Sequence, residues 1–503
     1  MGFLNDVCTQ TNLNINMEQI YIVMLIALGI LAVIDLMVGV SNDAVNFLNS
    51  AIGSKAISFR ITMIVASFGV LVGAMFSGGM MEIARSGIFV PSMFSFNDVM
   101  IIFLAVMVAD IVLLDVFNSL GLPTSTTVSI IFELLGAAVC LALYKIVTTD
   151  DTFDNLGSYI NTAKASAIVY SILLSVILSF SIGSFVQYIS RLVFTFHYEK
   201  KLKYFGAIFG GTAITAITFF ILIKGLKGVS FISKAQFAWI NEHQFWILAL
   251  SFVVFVLLSQ ALISFFKINI LRVIILIGTF ALALAFAGND LVNFIGVPIA
   301  AFNSYEIFAG SGVSGDVFMM GELANDDIVA PFYFLLLAGV VMVITLWTSK
   351  KARSVIETGV NLSRQGDGVE KFSPTSISRA IVRLAVYIGD GINYFLPKRL
   401  QIKIDRRFEN VKPIKKSEDE PAFDMVRASV NLMVASILIS IGTSMKLPLS
   451  TTYVTFMVAM GTSFADRAWD RESAVYRIAG VFKVIGGWFF TAIIAFMMAL
   501  VVA

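Results

Sequence analysis

Asn42-Asp-Ala-Val-Asn-Phe47 returns later in the chain as Asn289-Asp-Leu-Val-Asn-Phe294, and Leu122-Pro-Thr-Ser-Thr-Thr127 returns as Leu447-Pro-Leu-Ser-Thr-Thr452. Each pair is identical at five of six positions, and the two motifs occur in the same order. Self-similarity of this kind marks an internal repeat. Asn42 lies 83 residues before Ser125, and Asn289 lies 161 before Ser450. The excess of 78 matches a hydrophilic stretch inside the second half, so the chain reads as two related halves with an insertion in the second.

The surroundings of the motifs decide the class. Of 503 residues, 58% are hydrophobic and 14% charged, where a soluble domain carries roughly 25% charged residues. Such a chain cannot cover a water-facing surface, and it reads as a multi-pass protein of the plasma (inner) membrane. About thirteen apolar runs of spanning length recur, from 20–40 to 478–502, with 270–288 and 291–309 counted as two spans. No alternating ten-residue pattern of a β-barrel occurs. The expected fold is an all-α polytopic membrane protein of about 11–13 segments, some broken by Gly or Pro. Two repeats with broken helices are a transporter design, in which inverted halves place a substrate site at their interface near the bilayer midplane. Two cysteines rule out a disulfide scaffold, two histidines disfavour a histidine-ligated metal enzyme, and a net charge of +2 gives no case for nucleic acid.

The expected organisation is an external N-terminus at 1–19, a first repeat at 20–147, connecting membrane helices at 148–270, the first part of the second repeat at 271–348, a hydrophilic loop at 349–425, and the rest of the second repeat at 426–503. Residues 1–18 carry no Lys or Arg, so no secretory signal peptide is expected. Residues 350–416 hold 15 of the 35 Lys and Arg against 6 of the 33 acidic residues, which places the loop in the cytoplasm. Within it Ile377, Ile381, Leu384 and Ile388 recur at helical spacing and suggest a helix on the membrane surface, or equally a solvated linker helix.

Asp43 and Asp290 sit in apolar stretches, where a carboxylate is costly and therefore a functional candidate. With Asn42, Asn46, Asn289 and Asn293 they offer hard oxygen ligands suited to a small cation such as Na⁺. The simpler alternative is a helix cap plus an Asn bonding across helices. Ser125, Thr126, Thr127, Ser450, Thr451 and Thr452 offer hydroxyl donors. Pro123 and Pro448 lead into helix starts, whose free N–H groups and positive dipole end suit a tetrahedral oxyanion. Capping within membrane helices is the simpler alternative here. Two carboxylates and an anion in one low-dielectric cavity repel, so the anion binds well only after cations, Na⁺ or H⁺, load the carboxylates. Asp35, Asp110, Asp115, Glu133, Glu82 and Arg85 are further charges at membrane depth. A structural pairing role is the expected one for these charges: Glu82 and Arg85, three apart, are placed to pair on one helix face, and a proton relay through Asp110 and Asp115, which precede the first Ser-Thr-Thr, is the alternative.

At these residues the sequence resembles the inorganic phosphate transporter (PiT) family of sodium- or proton-coupled phosphate permeases. Val40-Ser-Asn-Asp-Ala-Val-Asn46 and Ala287-Gly-Asn-Asp-Leu-Val-Asn293 are similar to the family's Asn-Asp signature, and a Pro-x-Ser-Thr-Thr tip follows each. The resemblance implies a transport domain and a scaffold, two re-entrant hairpins, a homodimer in the lipid bilayer, and phosphate held by the hairpin-tip hydroxyls and backbone beside Asp43, Asp290 and the cations. It implies no cofactor beyond co-transported Na⁺ or H⁺. The Ser-Thr-Thr form in both halves looks closer to sodium-coupled members. Ser41 departs from the family's Ala or Gly, and Phe68-Gly69 stands where many members have Phe-Glu.

Sulfate is the competing substrate, but it cannot donate a hydrogen bond, whereas phosphate at pH 7 can donate to Asp43 or Asp290. A membrane-embedded phosphotransferase is the competing class, and no motif supplies a His or Lys as its base.

Overall fold

The computed structural model describes residues 2–148, 152–224, 234–325, 327–328, 330–364, 397–409, 421–467 and 471–503, with isolated positions between 376 and 387. The helix expected at Ile377, Ile381, Leu384 and Ile388 lies outside the described residues. Among the described residues the chain is helical, with isolated β-bridges only (Phe89 to Ile160, Ser95 to Met319). Among the described residues nine helices are long and apolar enough to cross a membrane, or up to eleven if each of two bent helix pairs is one span. The protein is a multi-pass integral membrane protein.

The principal helices are α1 Gly2–Gly53, α2 Phe59–Met75, α3 Phe96–Leu120, α4 Thr126–Thr148, α5 Thr162–Phe194, α6 Glu199–Thr218, α7 Gln244–Ser264, α8 Ile270–Ala309, α9 Phe332–Thr348, α10 Lys350–Leu362, α11 Met425–Ser444, α12 Thr451–Ala465 and α13 Arg471–Val502. Several starts are capped as local sequence dictates. The Ser95 side chain accepts from Asp98 N–H while Asp98 accepts from Ser95 N–H, a reciprocal capping box at α3. Asn161, Asn269, Ser349 and Asp424 cap α5, α8, α10 and α11.

The Asn-Asp motifs do not break their helices, which corrects the expectation of separate spans at 270–288 and 291–309. Both belong to the 40-residue α8, which runs through Asn289, Asp290 and even Pro298. The drop in hydropathy at Asn289-Asp290 resembles a span boundary, but these side chains are buried and bonded to protein, so the helix has no reason to end there. The breaks fall elsewhere: α2 bends by 56° into Ser77–Gly87, and α9 bends by 73° into α10. The loop expected from 349 also opens with structure, because Ala352, Val355 and Ile356 bury one face of α10 against the helix bundle.

The layers meet closely at the centre. A methyl group on Gly69 of α2 would lie 2.5 Å from the Phe280 carbonyl oxygen of α8, and one on Gly73 would meet the Leu284 carbonyl oxygen closer still. Small residues let membrane helices approach backbone to backbone in this way. A side chain at 69 would have to displace the α8 backbone. Glu82 pairs with Lys164 at 3.1 Å and Lys446 at 2.8 Å, while Arg85 reaches the Asn325 carbonyl at 3.2 Å. The expected Glu82–Arg85 pairing on one α-helical face is not the arrangement here, since 3-10 and π turns replace the regular helix between 77 and 87.

One buried ionic knot was not visible in the sequence. Arg191 of α5 grips Asp466 through Nε at 2.8 Å and Nη2 at 2.7 Å, and reaches Asp424 at 2.7 Å. Arg427 of α11 binds Asp466 at 3.0 Å and the Ser363 carbonyl at 2.7 Å. Burial alone would push the Asp466 carboxyl up, but the two guanidinium groups hold it below the usual carboxylate range. The knot fixes the C-terminal end of α12 to α5, α11 and the residue that follows α10.

Candidate functional site

Two chain turns carry the Ser-Thr-Thr residues to one point. α3 ends on Gly121, which takes the left-handed conformation (φ 64°) that glycine adopts without strain. The following four residues have no regular secondary structure, and Thr126 opens α4. Residues 447–450 repeat this before α12. Ser125 accepts from the Val128 N–H, and Ser450 from the Tyr453 N–H, each at 3.2 Å, so both serines are helix N-caps. A hydroxyl that accepts at its oxygen can still donate its proton.

The twelve residues singled out by sequence come together, all of them buried. Thr126 donates to Asp43 Oδ2 at 2.9 Å, Thr452 to Asp43 Oδ1 at 3.1 Å, and Asn46 to Asp43 Oδ1 at 3.2 Å. Thr127 donates to Asp290 Oδ1 at 3.0 Å, Thr451 donates to Asp290 Oδ2, and Asn293 donates to Asp290 Oδ1 at 3.1 Å. Asn46 also reaches Thr451 and Thr452, and Asn293 reaches Thr126 and Thr127. If residues 43, 46, 126 and 127 are exchanged with 290, 293, 451 and 452, every one of these bonds maps onto another. Each carboxylate takes one threonine from each hairpin tip.

The first Asn of each motif has a different task. Asn42 donates to Asn118 Oδ1 and the Leu122 carbonyl and accepts from Thr124 N–H. Asn289 donates to Asp290 and the Leu449 carbonyl and accepts from Thr443 at 3.3 Å. Both brace a hairpin tip. Asn118, Thr124, Thr443 and Thr455 were missed by the sequence reading. Asn118 stands four residues before Leu122 and Thr443 four before Leu447, so extending the repeat by one helical turn would have found that pair. Thr455 donates to Asn46 at 3.2 Å.

Chemically, the site offers two carboxylates, amide and hydroxyl oxygens, and the N-termini of α4 and α12. Carboxylate, amide and hydroxyl oxygens fit a hard cation such as Na⁺, and helix N-termini fit an anion. Among the described residues no group of three or more His, Cys, Asp or Glu is arranged to hold a metal ion.

The model of the phosphate transporter family matches residues 39–365, a segment with both Asn-Asp motifs and the first Ser-Thr-Thr tip. A protein of Pyrococcus abyssi named "Putative phosphate permease" is 29% identical over 273 residues, 52% of this chain and 62% of that protein. A protein of the same name from Thermococcus kodakarensis is 28% identical over 274 residues, with the same two shares. The match thus spans under two thirds of these relatives' length. A solved structure titled "The sodium-dependent phosphate transporter" shares the fold with a TM-score of 0.65 at 19% identity, over 95% of this chain and 98% of that one. Family model, relatives and fold agree with the paired motifs, and the chain belongs to the phosphate transporter family.

Proposed function

We propose that this protein is a secondary active symporter that carries inorganic phosphate with Na⁺, through a site built from both repeats. Membership of a transporter family sets aside the membrane-embedded phosphotransferase. The observation that carries the reading is the exchange-symmetric set of bonds in which Thr126, Thr127, Thr451 and Thr452 all donate to Asp43 or Asp290. A hydroxyl has one proton and gives it either to a carboxylate or to phosphate. A cation on each carboxylate replaces the lost donor, frees the threonines to turn toward phosphate, and cancels the repulsion between carboxylate and anion. Cation loading and anion binding are thereby one event. The reading includes an inverted relation of the two repeats and a homodimer in the bilayer.

The test is labelled-phosphate uptake into proteoliposomes with imposed Na⁺ or H⁺ gradients and sulfate as competitor. Uptake driven by the Na⁺ gradient and indifferent to sulfate supports the proposal. Uptake that ignores Na⁺ and follows the pH gradient rejects the coupling ion, and preference for sulfate rejects the substrate.

A further inference from the structure

A second group of buried acids lies outside the Asp43–Asp290 centre. Asp35 on α1, Asp110 on α3 and Glu133 on α4 have no solvent exposure. Asp110 is within hydrogen-bonding reach of both Asp35 and Glu133. All six carboxyl oxygens are buried, and none receives a hydrogen bond from a donor elsewhere in the described structure. That separates them from Asp43 and Asp290, which accept three and four side-chain hydrogen bonds. Asp35 shares α1 with Asp43. On elements packed against these helices, Lys145 of α4 is paired with Asp98 and Lys351 of α10 with Asp115.

Three ionised carboxylates in contact, with no hydrogen-bond donor from the described residues, do not persist in a protein interior. Two carboxyl groups at hydrogen-bonding distance attract only if a proton lies between them. There are two such contacts, Asp35 with Asp110 and Asp110 with Glu133, so two protons satisfy them. The three side chains are not arranged as a metal-holding group. We infer that Asp35, Asp110 and Glu133 form a proton-binding site, distinct from the phosphate centre, whose charge is felt at Asp43 through Asp35. Asp35 is eight residues before Asp43 on α1, about 12 Å along the helix, so the coupling is electrostatic and not a shared ligand. Losing a proton from the group adds a negative charge near Asp43. That strengthens cation binding there and weakens anion binding. The coupling to Na⁺ rests on the symport reading above, whereas proton binding itself does not.

The test uses the purified full-length protein in lipid nanodiscs. Glu133→Gln and Asp110→Asn replace each acid by a neutral shape close to its protonated form. Infrared spectra at neutral pH are expected to show a protonated-carboxyl carbonyl band that shifts on deuterium exchange and shrinks in both variants, with the number of bound Na⁺ unchanged. Wild-type Na⁺ affinity is expected to rise with pH, by up to about tenfold per unit for one exchanged proton, and the variants should show a flatter dependence. Absence of the band in wild type overturns the inference whether or not the variants fold. A band unaltered in both variants does so too, as does loss of one bound Na⁺, which would make the group a cation site. If the band follows the variants but no phosphate binds, the proton site stands and the symport reading falls.

Discussion

The Thr452 hydroxyl lies 3.1 Å from Oδ1 of Asp43, although 409 residues separate them in the chain. The second hairpin tip thus completes the environment of the first repeat's carboxylate, and Thr127 does the same for Asp290 in return.

Thr452→Val and Thr127→Val keep the shape and remove one donor to a carboxylate, worth about 1.5–3 kcal/mol when the partner is charged. Each should weaken phosphate binding measured calorimetrically at saturating Na⁺, and the two should do so to a similar extent. Loss confined to one of them would contradict the equivalence of the repeats.

Asp43→Asn and Asp290→Asn remove a charge while nearly keeping shape. Each should abolish or greatly reduce Na⁺-dependent uptake in proteoliposomes, with the protein still folded by size-exclusion chromatography. A variant with normal dependence of phosphate affinity on Na⁺ concentration would refute charge balancing by these carboxylates.

Asp466 supports the fold and not the site. Removing one partner from a buried ion pair costs about 3–5 kcal/mol, so Asp466→Asn should lower the thermal unfolding temperature in detergent. Because Arg191 and Arg427 hold this carboxyl below its ordinary value, its contribution is present above an unfolded-state pKa of about 3.9 and is lost as pH falls through the lower folded value. Acid unfolding curves of wild type and variant should therefore converge as pH drops below about 4. Curves that stay parallel would show that Asp466 is not the group responsible.

Gly69→Ala sets a methyl group against the Phe280 carbonyl oxygen. Overpacking of this kind costs about 1–3 kcal/mol, and a thermal shift assay should register it. Gly29, with no atom within 4 Å of an added methyl, is the control, and Gly29→Ala should be silent.

The site was legible because its residues come in two copies. One Asn-Asp or Ser-Thr-Thr in an apolar chain is weak information, but the repetition of Asn42–Phe47 and Leu122–Thr127 forced a common explanation. The cross-pairing of tips and carboxylates was not legible, since spacing along the chain cannot say whether Asp43 meets Thr126, Thr452 or both. Span boundaries were misread where polarity served the interior: Asn289 and Asp290 lower the hydropathy of α8 without ending it. Arg191, Arg427 and Asp466 lie far apart in sequence, and each alone looks like an ordinary flanking charge.

At Gly69 and Gly73 no side chain of these two residues separates α2 from the α8 backbone at Phe280 and Leu284, ten and six residues before Asp290, or about three and two turns. Phe68 also stacks on Phe280 beside this contact, so sliding α2 along α8 would press backbone on backbone and part a ring pair. A motion of α8 that keeps this packing takes α2 with it.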